Sequence, residues 1–244
     1  MKIADDNRAT APTIAWPPLL IGTLQRRYKR FLADVRLPDG QAITAHCPNS
    51  GSMRACSQPG RPVYLSESDN PRRKLKYTWE LIEMPSSLVG VNTLVPNRLV
   101  LRSAEATLIP ELRPYDDVRR EVQTAPGTRL DLCLTGASRR PCYVEIKNCT
   151  LVEDGSASFP DARTVRGLKH LHELMRLVES GARGVIFYLI QRMDAARFHP
   201  ADHIDPAYGQ GLRDALAAGV EAMAYDVHID LTGIRLRRRV DIDV

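Results

Sequence analysis

Three acids and a lysine in the middle of the chain have the residue types and spacing for metal-assisted phosphate chemistry. Asp131 precedes Glu145 by fourteen positions, and Lys147 follows Glu145 by two. Side chains alternate between the faces of a strand, so strand register decides which residues meet. A hairpin about residue 138 pairs position 131 with 145, and a hairpin about 126–127 pairs 121 with 131. The spacing therefore predicts Glu121, Asp131 and Glu145 in one row, with Lys147 beside it.

A row of three like charges on a sheet needs a compensating cation. Carboxylates directly opposite one another destabilise a sheet, and their oxygens are ligands that suit Mg²⁺ or Mn²⁺. Such an ion polarises a phosphate and generates hydroxide from bound water, while Lys147 stabilises the developing charge. The simpler alternative is three exposed acids on a solvated sheet face. Four apolar residues on the opposite face of the same strands favour the metal site: Leu130, Leu132, Val144 and Ile146.

The first third of the chain has the pattern of a small β-barrel. Short β-type segments broken by turns fill residues 19–91, and Asp39-Gly40 has the turn chemistry of a tight hairpin. Five short strands at regular spacing predict a barrel of the OB type, whose groove commonly binds single-stranded nucleic acid. Residues 1–18, with three prolines and no periodicity, are predicted to be a loose arm. The five predicted strands are residues 28–36, 41–46, 62–66, 77–83 and 88–91.

Residues 92–244 have the pattern of an α/β domain with a mixed sheet. Leu168, Leu171 and Leu174 recur at helical spacing in a predicted helix over residues 161–180. The continuous apolar run 185–190 predicts a strand buried on both faces. The remaining predicted elements are helices at 92–106 and 206–218 and strands at 117–123, 129–134, 143–151, 221–229 and 234–240.

The positive charge of the chain is concentrated in its first third. The net charge is +5, and residues 1–85 alone carry 13 Lys and Arg against 8 Asp and Glu. Clustered cations are the electrostatic signature of phosphate-backbone binding, and aromatic residues among them can stack bases. The alternatives are a solvated basic face and, for Trp79, a place in the barrel core. The predicted DNA-binding residues are Arg26, Arg27, Lys29, Arg30, Arg72, Arg73, Lys74, Lys76, Tyr77 and Trp79.

Two resemblances extend this interpretation. Asp131 with Glu145-Ile146-Lys147, followed by a helix, resembles the PD-(D/E)xK nuclease superfamily, although Leu130 stands where that superfamily has a proline. Nearly the whole chain from residue 19 resembles the sugar fermentation stimulation protein A (SfsA) family. The stretches that carry this second resemblance are residues 25–34, 46–53, 68–70, 77–81, 91–99, 143–150 and 159–174.

The resemblance implies an OB-like domain at residues 19–91 and a restriction-endonuclease-like α/β domain at 92–244. It further implies DNA binding and a role in regulating sugar utilisation. In PD-(D/E)xK enzymes the helix after the metal strand often adds Gln, Lys or His to the site. Lys169 is therefore a catalytic candidate beside Asp131, Glu145 and Lys147, the alternative being a solvated helix face.

Other features of the sequence narrow the function classes. No run approaches the ~18 apolar residues of a membrane span, and the first residues lack the apolar core of a signal peptide. Five scattered cysteines favour neither a disulfide framework nor a zinc site. We expect a cytoplasmic protein that binds DNA and does not contact a membrane. The sequence leaves the oligomeric state open, a homodimer being one alternative.

Three functions remain open from sequence. The first is a DNA-binding protein with a nuclease-like fold, the second is an active Mg²⁺- or Mn²⁺-dependent nuclease, and the third is a regulatory partner of an acidic protein. An intact row of acids is necessary for cleavage but does not prove it.

Overall fold

The computed structural model describes residues 13–113 and 115–244. Its first part contains strands β1 (Ile14–Ala15), β2 (Leu19–Tyr28), β3 (Leu32–Arg36), β4 (Ala42–His46), β5 (Pro62–Glu67), β6 (Tyr77–Glu83) and β7 (Leu88–Gly90). Strands β2 to β7 form a sheet in the order β4-β3-β2-β5-β6-β7. Strand β4 also meets β6, through His46 and Thr78, so the sheet closes into the predicted barrel.

The predicted hairpin between β3 and β4 is confirmed, and Gly40 has the positive φ, 88°, that its turn requires. Its first strand begins at Leu32 rather than at residue 28. Lys29 and Arg30 adopt φ values of 48° and 63° and turn the chain between β2 and β3. Apolar side chains from most strands fill the barrel, among them Leu24, Val35, Ala45, Val63, Leu65, Trp79 and Ile82.

The second part of the chain is a layered α/β domain. Its elements are α1 (Val95–Glu105), a short 3₁₀ helix (Pro110–Leu112), β8 (Asp117–Ala125), β9 (Thr128–Thr135), β10 (Cys142–Cys149), β11 (Leu151–Glu153), β12 (Ser156–Phe159), α2 (Val165–Glu179), β13 (Arg183–Ile190), β14 (Arg197–Pro200), α3 (Pro206–Ala217), β15 (Glu221–Ile229) and β16 (Gly233–Ile242). Within the described residues the strands join in the order β11-β12-β14-β16-β15-β13-β10-β9-β8, with β1 against β16. Strands β10, β13 and β15 are parallel, and β9 is antiparallel to β10.

Helix α1 covers one face of this sheet, and α2 and α3 cover the other. Phe187 in β13 packs into the core under α1, whereas its neighbours Ile186 and Tyr188 pack under α2 and α3. Both faces of β13 are therefore buried, as its continuous apolar run predicts. Thr164 caps α2, with its side chain accepting a hydrogen bond from the Gly167 amide at 3.0 Å.

Several sequence predictions differ from the structure. Strand β2 was not among the five predicted barrel strands, although residues 19–91 were assigned to the barrel as a whole. Strands β11, β12 and β14 were not predicted either, because segments of three or four residues carry too little periodicity. The arm predicted at residues 1–18 lies partly outside the described residues. Its described part is held against the second domain: Ile14 pairs with Ile234, and the Trp16 indole donates to the Asp230 carbonyl at 2.8 Å.

Candidate functional site

Asp131 lies where β9 and β10 separate. The flanking pairs Val144–Leu132 and Arg120–Leu132 confirm both predicted registers. The Asp131 carboxylate accepts the Ile146 backbone N–H at 2.7 Å on one oxygen and the Asn97 side-chain amide at 2.6 Å on the other. Burial, with the nearby charge of Glu145, raises the pKa of Asp131 to about 7.

The alternation predicted for β9 breaks at Asp131. Leu132 packs with the core under α1, whereas Leu130 packs with the core under α2. Alternate residues of a regular strand share a face, so the placing of Leu130 with Leu132 opposite the acids was wrong. The Asp131 carboxylate consequently contacts Asn97 from α1, while Glu145 contacts His170 from α2. The two acids therefore have different side-chain partners.

Glu145 is almost completely buried, with 4% of its side chain exposed. Its Oε1 contacts Lys147 Nζ at 2.7 Å and also His170 Nδ1. Burial opposes ionisation of Glu145, but the His170 hydrogen bond and the Lys147 charge outweigh it and lower the pKa of Glu145. The second oxygen, Oε2, is buried with no hydrogen-bond partner in the described part of the chain. A buried carboxylate oxygen without a partner is costly, so this atom has unused capacity for a ligand.

His170 is a site residue that was not among the predicted ones. It follows Lys169, it is 5% exposed, and its Nδ1 lies 3.2 Å from Lys147 Nζ. On its other side, Arg166 Nε donates to His170 Nε2 at 3.4 Å. A signal existed in the sequence, because His170 falls on the same helical stripe as Gly167, Leu171 and Leu174. A titratable residue on the buried stripe of a helix is the exception that a functional site can explain.

A cleft of about 880 Å³ opens in front of Asp131 and His170, between the β8–β9 hairpin and the start of α2. Asp131 also lines a smaller hollow of about 240 Å³ beside α1. Lys169 lines the cleft, as predicted, and Arg98 and Arg120 line the hollow. Across the residues described, these three cations have no ion-pair partner. Asp131 is therefore flanked by positive charge available to a ligand. The cleft residues are Glu121, Gln123, Gly127, Thr128, Arg129, Asp131, Val165, Arg166, Lys169 and His170.

Glu121 lies at the rim of both spaces but does not join the other two acids. Its φ of 52° is positive for a non-glycine residue, and its side chain is 56% exposed and paired with Arg129 at 3.3 Å. No group of three or more His, Cys, Asp or Glu residues within 13–113 and 115–244 is placed to hold a metal ion. Asp131 and Glu145 are left as the two acids of the site.

The structure divides the predicted DNA-binding cations of the barrel into two groups: those bonded to other groups of the barrel, and those without an ion pair among the described residues. Arg26 pairs with Asp34 at 2.7 Å, and Lys76 pairs with Glu67 at 2.5 Å. Arg73 donates to the Thr78 hydroxyl at 2.9 Å. Four others have no ion pair within the described chain: Lys29, Arg30, Arg72 and Lys74.

Arg27 has a structural role that its position in a basic run conceals. Its guanidinium donates to the backbone carbonyls of Asn49, Gly51 and Ser52, at 2.8, 2.8 and 3.0 Å. These bonds hold the loop after β4, so the prediction that Arg27 contacts phosphates is not supported by its position.

The two predicted aromatic contacts also differ from one another. Trp79 is fully buried in the barrel core and its indole donates to the Leu81 carbonyl at 2.9 Å. A side chain inside the barrel cannot stack on a base, so the stacking role predicted for Trp79 was wrong. Tyr77 is partly buried, with Lys76 Nζ 5.8 Å from its ring centre.

A closed barrel followed by an α/β domain, with two acids and a lysine where two central strands separate, defines a two-domain protein of the OB and restriction-endonuclease type. Family models agree with this description. Residues 26–91 match the SfsA N-terminal OB domain, and residues 94–233 match the sugar fermentation stimulation protein RE domain. The chain belongs to the sugar fermentation stimulation protein (SfsA) family, and both predicted domain folds are confirmed.

Relatives cover almost the whole chain. The sugar fermentation stimulation protein homolog of Geobacter sulfurreducens is 55% identical over 225 residues, covering 92% of this chain and 96% of that protein. The homolog of Pelobacter propionicus is 55% identical over 226 residues, covering 93% and 98%. The solved structure of Pyrococcus furiosus SfsA in complex with Ca²⁺ superimposes with a TM-score of 0.86 at 28% identity, covering 95% of this chain and 98% of that one.

In the part of the chain that the structure describes, no helix is both long enough and apolar enough to cross a membrane.

Proposed function

We propose that this protein binds DNA in the cleft and hydrolyses a phosphodiester bond there, with a divalent cation held by Asp131 and Glu145. The observation that carries the proposal is the buried Glu145 Oε2, which has no partner among the described residues although it belongs to a charged group. Asp131 lies close enough for the Glu145 charge to contribute to its raised pKa. A cation between the two acids would relieve both conditions.

The residues present fit a hard divalent ion. The donors are carboxylate oxygens, which Mg²⁺ and Mn²⁺ prefer, and each Asp131 oxygen uses only one of its lone pairs on a protein donor. The solved relative from Pyrococcus furiosus is described as a complex with Ca²⁺, an ion with the same oxygen preference. We assign Mg²⁺ or Mn²⁺ as the working ion, with Asp131 and Glu145 as its protein ligands.

Each side chain around the acids has a defined task. Lys147 is fixed against Glu145 Oε1, and its charge would stabilise the negative charge that develops on a bound phosphate during hydrolysis. His170 orients Glu145 through its contact with Oε1. Lys169 lines the cleft without an ion pair among the described residues and is positioned to bind a neighbouring phosphate. When bound, the cation supplies polarisation of the phosphate and a lowered pKa for a water molecule.

A second candidate function is DNA binding without cleavage, to regulate genes of sugar utilisation. The names of the curated relatives refer to sugar fermentation. Arg98, Arg120 and Lys169 have no ion pair among the described residues and can bind phosphates with no metal present. Binding and cleavage use the same cleft, so the two candidates differ only in whether the bound strand is cut.

Incubation of the purified protein with single-stranded and duplex DNA, in Mg²⁺, Mn²⁺ or EDTA, separates them. We expect cleavage with Mg²⁺ or Mn²⁺, none in EDTA and none with Asp131→Asn, while that variant still retards DNA at low salt. Retardation without cleavage in any ion would favour the second candidate. Absence of retardation at low salt would contradict both.

A further inference from the structure

A second pocket lies at the junction of the barrel and the α/β domain. Its volume is about 320 Å³, at the lower end of the ~300–1,000 Å³ that ligand sites occupy. The barrel contributes the turn after β2 and the loop after β4, and the α/β domain contributes the end of β10 and the segment before α2. We call it the junction pocket. Its lining residues are Arg30, Asn49, Ser50, Gly51, Thr93, Asn148, Thr150, Phe159, Pro160, Asp161, Ala162, Arg163 and Thr164.

The charge available in this pocket is positive. Arg30 comes from the barrel and Arg163 from the α/β domain, and neither has an ion pair with any described residue. Asp161 also lines the pocket, but its Oδ2 already accepts the Met53 backbone N–H at 2.9 Å and the Ser52 hydroxyl at 3.4 Å. That carboxylate is therefore directed at the barrel loop, and the two arginines are left for an anion.

The barrel side of the pocket is rigidly built. Asn49 is 4% exposed; its amide donates to the Val91 carbonyl at 3.1 Å, and its side-chain oxygen accepts the Gly51 N–H at 2.9 Å. A Cβ at Gly51 would lie 2.5 Å from Asp161 Oδ2, so only glycine allows the loop to approach this closely. Together with the three Arg27 hydrogen bonds to the same loop, these contacts fix the wall before any ligand arrives.

Three exposed apolar residues are next in sequence to residues that line the junction pocket. Phe31, Leu94 and Val165 are 47%, 67% and 86% exposed. Each immediately follows a lining residue, respectively Arg30, Thr93 and Thr164. We call these three residues the apolar rim. An exposed aromatic side chain such as Phe31 beside cations is the combination that holds unpaired bases.

The junction pocket and the cleft meet at the start of α2. Thr164 lines the pocket, whereas the next residue, Val165, lines the cleft. A DNA strand with one phosphate beside Asp131 and Glu145 can therefore continue over the first turn of α2 into the pocket.

We propose that the junction pocket binds one unpaired nucleotide of a DNA strand, its phosphate against Arg30 and Arg163 and its base against the apolar rim. This inference rests on the proposed function, and it specifies the substrate as DNA with a single-stranded segment next to the site. A paired nucleotide cannot use the rim, because its base is stacked and hydrogen-bonded within the duplex.

Fluorescence anisotropy in EDTA tests the pocket without cleavage. The probes are a labelled single-stranded oligodeoxynucleotide, the same strand with abasic sites and the corresponding duplex. For the double variant Arg30→Gln/Arg163→Gln we expect at least ~10-fold weaker binding of the single strand, and a log–log salt slope smaller by about 1.4 for two lost contacts. The matched control is Arg139→Gln/Arg140→Gln, two exposed arginines in the turn between β9 and β10.

Phe31→Ala tests the apolar rim, with Ile21→Ala, which removes an equally exposed apolar side chain from β2, as its control. We expect Phe31→Ala to weaken binding of the normal strand at least ~5-fold and to leave binding of the abasic strand unchanged. The proposal would be overturned if both pocket variants bound the single strand as tightly as the wild type does. Equal losses of affinity for the single strand and for the duplex would also overturn it. The DNA affinity of Lys169→Gln is measured in parallel. If Lys169→Gln binds DNA more weakly while the pocket variants bind it like wild type, the proposed function stands and the junction pocket alone is rejected.

Discussion

Replacing Asp131 by asparagine tests whether this residue carries a charge that the folded protein accommodates poorly. Asparagine has the same shape and can still accept the Ile146 N–H through its oxygen. Its amide can donate to the Asn97 oxygen once the Asn97 amide turns over, so both hydrogen bonds of Asp131 are retained. The substitution therefore removes the charge and little else.

The size of the effect can be worked out from the raised pKa of Asp131, about 7 against an ordinary value of 3.8. The folded protein holds a proton more tightly than the unfolded chain, so stability falls as pH rises from about 4 to about 7. One pKa unit corresponds to ~1.4 kcal/mol, which puts the full effect at no more than ~4 kcal/mol. In EDTA we expect Asp131→Asn to be about 2–4 kcal/mol more stable than wild type above pH 7. This advantage should vanish near pH 4.

Urea unfolding in EDTA at a series of pH values measures this difference directly. Glu121→Gln is the matched control, because Glu121 is exposed in the same hairpin and paired with Arg129; we expect no pH-dependent gain from it. A divalent ion at one hundred times its dissociation constant should remove most of this difference, since it would stabilise the wild type by ~2.7 kcal/mol and the variant far less. A stability difference between Asp131→Asn and wild type that does not change with pH would refute the reasoning.

Further predictions concern the cleft, the barrel and its loop. Lys169→Gln should weaken binding of all DNA sequences alike and reduce the salt slope by about 1, measured by anisotropy against the Arg139→Gln/Arg140→Gln control. Trp79→Phe should cost about 1–3 kcal/mol in thermal or urea unfolding, because it opens space in the barrel core and removes the indole's hydrogen bond to the Leu81 carbonyl. The DNA affinity of the folded fraction should stay unchanged. Arg27→Lys should destabilise the protein by a similar amount, since an ammonium cannot reproduce the guanidinium's three bonds to the loop; unaltered unfolding would contradict the structural role of Arg27.

The strand registers around the site could be predicted from the sequence because two short turns determine them. Counting outward from residues 138 and 126–127 brings Asp131 level with Glu145 and with Glu121, and the flanking pairs agree. The count assumes regular strands, however. The backbone breaks that regularity at Glu121, with its positive φ, and at Asp131, where the apolar residues change sides. These departures turn the acids toward different neighbours, and no residue pattern announces them.

The location of available positive charge could not be predicted from composition. The excess of positive charge lies in residues 1–85. Two of the cations there, Arg26 and Lys76, are nevertheless paired with acids that the tertiary structure brings beside them. Residues 86–244 are neutral in sum, but their acids are largely used elsewhere. Asp226, for example, accepts from both Arg237 and Arg238. Lys169 and Arg98 thereby remain available beside Asp131, a feature that depends on which charges fold together.

The pairing of β1 with β16 affects how the protein can be made. Ile14 lies opposite Ile234, so a strand synthesised before the barrel finds its partner only after the other strands of the α/β domain have been made. The barrel can close during synthesis, since its strands are all made by residue 90, whereas β1 must wait in solution with its backbone groups unpaired. Domains generally fold in order as they emerge. In this protein the first strand made, β1, is added to the large sheet last. It can pair only after β16 has emerged from the ribosome.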